Sequence, residues 1–155
     1  MDHIRELYQE VIIDHGRHPR NIGSLPGKTH YAEGYNPLCG DHLYLDLQVE
    51  GYVISNLAFR GEGCAISMAS ASLMTEILKG KTIAEAEQIF TDFHVVVTEG
   101  KAGHAEALSK LGKLSVLTGV CEYPARVKCA TLAWHTMHNA LSNEVSIAST
   151  DDESA

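Results

Sequence analysis

Along "DHLYLDLQVEG", Leu43, Leu45, Leu47 and Val49 alternate with His42, Tyr44, Asp46 and Gln48. A period of two puts the apolar set on one face of a strand and the polar set on the other. Glu50-Gly51 supplies a turn, and "YVISNLAFRG" returns as a second strand with Val53, Leu57 and Phe59 inward. A weaker strand is expected over 29–35. These pairings predict a small antiparallel sheet with one face exposed.

The period then lengthens. After Gly61-Glu62-Gly63, "CAISMASASLMTEILKG" sets Ile66, Leu73, Met74 and Ile77 on a helical stripe that closes at Gly80. Its small residues, Ala65 to Ser72 excepting Ile66 and Met68, let another backbone approach closely. Thr82 and Glu85 have the spacing of a capping box for a further helix. "VTEGKAGHAEALSKLGK" reads as one short helix followed by a loop. Pro124 opens a last helix in which Val127, Thr131, Trp134, His138 and Leu141 recur at helical spacing. Before the strands, "MDHIRELYQEVIIDHG" is an amphipathic helix with Ile4, Leu7, Tyr8, Val11 and Ile12 on one side, and "GRHPRNIGSLPG" is a Pro/Gly connector. Strands come early and helices late, so the class is α+β. One domain is expected over 1–141, and the polar, acidic 142–155 reads as a disordered tail.

The chain of 155 residues suits a single core, and its 45% hydrophobic and 21% charged residues are those of an ordinary globular protein. A net charge of −8, with no basic stripe, argues against nucleic acid or an anionic membrane as partner. No apolar run approaches the ~20 residues that cross a bilayer, and the charged first helix is no signal peptide. A cytoplasmic protein is expected. There the four cysteines, Cys39, Cys64, Cys121 and Cys129, point to metal or redox chemistry rather than disulfides.

In "GYNPLCGD" a thiol and a carboxylate, Cys39 and Asp41, share what reads as an exposed turn before a strand. Cys64 follows Gly63 at a helix start, where backbone amides favour the thiolate, and Cys129 falls in the second turn of the last helix. Three thiolates and one carboxylate would make a tetrahedral site with one hard ligand among soft ones. Each residue also has a plainer reading: a lone cysteine is often a small hydrophobe, and Asp41 can simply close its turn. The separations contain no CxxC, so spacing does not decide.

"NPLCGD", "GEGCAISMASAS" and "PARVKCATLAW", in this order, resemble the IscU/SufU family of iron–sulfur cluster assembly proteins. The resemblance runs from the first helix to about Leu141. It implies a small antiparallel sheet covered on one face by helices (the SufE/IscU-like fold), and it carries ligand positions onto Cys39, Asp41, Cys64 and Cys129. Lys128, where the scaffold branch has histidine, and the segment 93–111 are similar to the SufU branch. That branch implies a zinc-bound protein that takes persulfide sulfur from a cysteine desulfurase, with Cys39 as the acceptor. The alternative is a scaffold on which a [2Fe–2S] cluster is assembled for downstream assembly proteins or apo-protein acceptors, with the same ligands.

Cys121 matches no ligand position, and Arg126 stands near Cys129 either as part of the site's surroundings or as a solvated surface residue. None of the nine histidines falls in a motif, so they read as surface or lightly packed residues. A zinc hydrolase or deaminase would need a water ligand beside a Glu base, as in HxE with PCxxC, and neither motif is present. A structural zinc site should lack glycine-flanked ligands, and no histidine is tied by motif to a cysteine for nucleophilic catalysis.

Overall fold

A computed structural model describes residues 2–100, 102–142 and 148–149, with side chains for 9–100 and 102–142. The described residues form the helices α1 (Asp2–Arg17), α2 (Ala65–Leu78), α3 (Ile83–Glu99), α4 (Ala105–Ser109) and α5 (Pro124–Leu141). Three antiparallel strands, β1 (His30–Asn36), β2 (Asp41–Glu50) and β3 (Val53–Glu62), make the sheet. Ala148–Ser149 (β4) adds a short parallel pairing to β1 at Gly34 and Tyr35, giving the order β3-β2-β1-β4. The fold is α+β, as the periodicities predict. Apart from Ser142, Ala148 and Ser149, the tail expected over 142–155 lies outside the described residues, as do the side chains of Ile4, Leu7 and Tyr8.

Leu43, Leu45 and Leu47 of β2 and Leu57 and Phe59 of β3 are buried beneath the helices, where they share one core with Leu73, Met74 and Trp134. Helix α2 lies between α1 and α5. Its small residues allow that: Ser67, Ala69, Ser70, Ala71 and Ser72 are all buried, so neighbouring helices pack against nearly its whole circumference. Ser70 and Ser72 offset the cost of burial with hydrogen bonds, Trp134 Nε1 donating to Ser70 Oγ at 3.2 Å and Arg20 N to Ser72 Oγ at 2.9 Å. Helix α5 presses equally close on β1, because a Cβ on Gly34 would collide with Thr136 Oγ1.

Several expectations give way to tertiary detail. A register shift between Gln48 and Val49 changes the parity of the β2–β3 pair, so Ile54 is buried while Val53 is exposed. The connector after α1 runs along β3, with Gly23 N donating to Phe59 O and Phe59 N to Asn21 O, and so shields a sheet edge. Asp46 lies on the outer face, yet it is fully buried under this connector, accepting from Leu25 N at 3.0 Å and pairing with Arg60 and Lys28. In the segment expected to be one short helix and a loop, α4 is that short helix, preceded by the end of α3, but the loop gives way to a 3-10 helix over Gly112–Glu122. That helix buries Leu114, Val116, Leu117 and Val120. His15 is 2% exposed and bonded to Ser72, contrary to the surface reading of the histidines, whereas His138 on α5 is exposed, as that reading expects, and pairs with Glu87. Among the described residues no helix is long and apolar enough to cross a membrane.

Candidate metal centre

The β1–β2 hairpin, the N-terminus of α2 and the second turn of α5 meet at one end of the sheet. Asn36 and Asp41 form the last cross-strand pair of the hairpin, and the four residues between them make the turn that carries Cys39. Gly40 takes φ +71 there, a backbone state that costs glycine little. One candidate ligand atom from each of Cys39, Asp41 and Cys129 lies within 4.8 Å of the others. Cys129 Sγ stands 3.2 Å from Cys39 Sγ as a free thiol.

Cys64 is not in that group of three but adjoins it. It is the N-cap of α2, its sulfur accepting from Ser67 N at 3.5 Å, and its own amide donates to Asp41 Oδ1 at 2.8 Å. The Asp41 carboxylate therefore caps the approach to α2 as well as facing the thiols. Gly63 makes room for it: a Cβ there would lie 2.6 Å from Asp41 Oδ1.

Asp41 and Cys129 are completely buried and Cys39 and Cys64 partly so. The turn was expected to expose Cys39 and Asp41 together. Instead, as the first residue of β2, Asp41 points into the helix layer, and Cys39 alone of the two is open to solvent.

Hydrogen bonding from Cys129 and from backbone amides, Ser67 foremost, lowers the Cys64 thiol to about 6, which favours its thiolate. Cys129 is pushed the other way, first by its contact with Cys64, then by burial and by Cys39 and Asp41. A second thiolate beside Cys64 and a carboxylate is unfavourable unless a cation lies among them. The donor set thus fits a thiophilic divalent metal such as zinc, whose charge would allow all the sulfurs to ionise together. Arg126, in the first turn of α5, already supplies part of that charge. Cys64 first, and then Cys129, hold its guanidinium more firmly protonated than usual, which places it in the surroundings of the site.

Cys121 sits in the 3-10 helix, its sulfur near Gly100 and outside the cluster, as the sequence suggests. Asn36 is the residue sequence reasoning missed. It is fully buried, and its Nδ2 donates to Asp41 Oδ2 at 3.2 Å and to Cys129 Sγ at 3.6 Å. Asn-Pro reads as turn chemistry, and only the cross-strand pairing with Asp41 would have flagged it.

Over 141 residues the chain is 40% identical to the zinc-dependent sulfurtransferase SufU of Bacillus subtilis, covering 89% of this chain and 91% of that one. It is 36% identical to the iron-sulfur cluster assembly scaffold protein IscU of Streptococcus pyogenes, covering 89% and 84%. Among solved structures, a putative iron-sulfur cluster assembly scaffold protein for the SUF system from Fervidobacterium islandicum superposes with a TM-score of 0.78. The two are 34% identical, with coverage of 88% of this chain and 98% of that one. The model for the NifU-like N-terminal domain matches residues 7–143. The hairpin, helix cap and last helix that gather the thiols all fall within that match, and the chain belongs to the NifU-like N-terminal domain family.

Proposed function

We propose that the protein serves iron–sulfur cluster biogenesis by accepting persulfide sulfur from a cysteine desulfurase at Cys39, with zinc held by Cys39, Asp41, Cys64 and Cys129. The observation that carries this reading is the packing of one part-exposed thiol, Cys39, against a buried thiol and a buried carboxylate. Zinc, when bound, would supply charge neutralisation and a ligand sphere without directional preference, so that one ligand can leave at low cost. The chain's own residues do the rest. Cys64 and Cys129 are fixed on helices, and Asp41 is tied to the Cys64 amide, so Cys39 is the ligand on a loop.

As a thiolate, Cys39 attacks the outer sulfur of the donor persulfide. A new sulfur–sulfur bond forms at Cys39, the donor's sulfur–sulfur bond breaks, and the electron pair leaves with the donor thiolate. The transferred sulfur keeps its proton, and no external oxidant or reductant is required. Arg126, at the open side, favours the anionic partners of this exchange.

A second reading, scaffolding of a [2Fe–2S] cluster on the same residues, is favoured by the scaffold naming of the Streptococcus pyogenes relative. Protein purified without added metal separates the two. One zinc per chain and no visible absorption supports the relay, and brown protein supports the scaffold. With a desulfurase and cysteine, single-turnover mass spectrometry should then find the added sulfur on Cys39. Normal turnover by Cys39→Ser would overturn the assignment.

A further inference from the structure

Asn36 takes no part in the chemistry above, yet it sits among the donors. It ends β1, pairs across the hairpin with Asp41, and is 0% exposed. An asparagine before a turn ordinarily closes it by accepting a backbone N–H through its side-chain oxygen. Here Oδ1 has no hydrogen-bond partner among the described residues, so that role is not being played. Both bonds are made by Nδ2, one to Asp41 Oδ2 and one to Cys129 Sγ.

The orientation of the amide follows from its neighbour. The Asp41 carboxylate only accepts, and a flipped amide would press a carbonyl oxygen against it. An unpaired buried carbonyl is costly, a cost that leucine, of nearly the same shape, would not incur. What distinguishes asparagine at this position is therefore its pair of N–H groups, each aimed at a different candidate ligand. With Cys64 N on Oδ1 and Asn36 on Oδ2, the carboxylate is held from both ends, so its plane cannot turn away from the thiols. The second N–H draws charge from the Cys129 sulfur and tempers its donation to a cation.

We infer that Asn36 is a positioning residue of the metal centre, fixing Asp41 and Cys129 relative to one another and weakening the Cys129 sulfur as a donor through an N–H···S bond. This rests on the reading of the site as a metal centre. A neutral amide is required for it, since a carboxylate at position 36 would oppose Asp41 at hydrogen-bond distance.

Cobalt(II) in place of zinc makes the proposal visible, because thiolate-to-cobalt charge transfer reports the sulfur lone pairs directly. Loss of positioning outweighs the stronger donation of a freed Cys129 sulfur, so Asn36→Leu and Asn36→Ala should bind cobalt and zinc roughly 10–100-fold more weakly in competition with a chromophoric chelator. Their charge-transfer band should move to lower energy, because the lone pairs lose the N–H that stabilises them. A purely structural role would lower the melting temperature and leave the band of the folded, loaded variant where it was; that result overturns the inference. Independently of any variant, wild type loaded with cadmium-113 should show scalar coupling between an Asn36 side-chain amide proton and the metal through Cys129 Sγ, and absence of that coupling overturns it too. Wild type that shows no thiolate–cobalt band at all removes the metal-centre reading and this inference with it, an outcome distinct from a normal wild type and an unchanged variant.

Discussion

At the scale of single residues, the centre depends on how little room surrounds Asp41. Gly63 leaves its carboxylate just enough space, and a methyl group at 2.6 Å from Oδ1 must displace either the carboxylate or the entry to α2. Gly63→Ala is expected to weaken zinc binding by about 10–100-fold while leaving the helical circular dichroism in place, as chelator competition would show. Wild-type affinity in this variant would mean that Asp41 is not a ligand. Cys121→Ser, by contrast, should keep wild-type metal content, since its sulfur lies beside Gly100 rather than among the donors. The residue types at the site were legible because thiols and carboxylates announce their chemistry. Burial was not: nothing in "NPLCGD" says that β2 begins at Asp41 and turns that side chain inward, nor that Asn36 spends its amide on two partners from different elements.

Among the elements, α1 and α2 are joined by a buried polar contact, His15 Nδ1 to Ser72 Oγ at 2.7 Å. Burial holds the His15 pKa below its ordinary value, more than nearby Glu76 raises it. In the unfolded chain the imidazole takes up a proton near pH 6.5 that the folded protein resists. Folding stability contributed by neutral His15 is thus complete above that pH and falls as the medium is acidified toward the lower folded value, by at most about 1.4 kcal/mol per pH unit. Urea unfolding of metal-free wild type and His15→Gln between about pH 7 and 5 should converge as pH falls, and parallel curves would show that His15 remains neutral for another reason. Element types were readable wherever one period ran unbroken, as in β2 as far as Gln48 and in α2. They were misread where the chain changes rule within a few residues: at the Gln48/Val49 irregularity, which moves Val53 outward, and after α4, where a 3-10 helix buries leucines and valines without a helical period.

For the whole molecule, the proposed ligands come from a hairpin, a helix cap and the last helix, so a metal bound by them would stabilise only the assembled fold. At a free zinc concentration 100-fold above the dissociation constant the gain is about 2.7 kcal/mol, or roughly 5–10 °C in melting temperature for a chain of this size. Strong chelation should therefore lower the melting temperature of wild type by that order and leave Cys64→Ser almost unaffected. Equal shifts in both would remove Cys64 from the ligand set.

For the sulfur relay proposed above, the hairpin turn limits how far Cys39 can travel. Asn36 and Asp41 are anchored in the sheet and to the site, so the turn between them is a short leash with both ends tied. Cys39 is three residues from one post and two from the other. At about 3.3–3.6 Å per extended residue its travel is limited to roughly 7 Å from Asp41, however mobile the loop. In the relay proposed above, a donor's persulfide therefore has to come to within that range of the hairpin, because the loop cannot carry the thiol far from its own site.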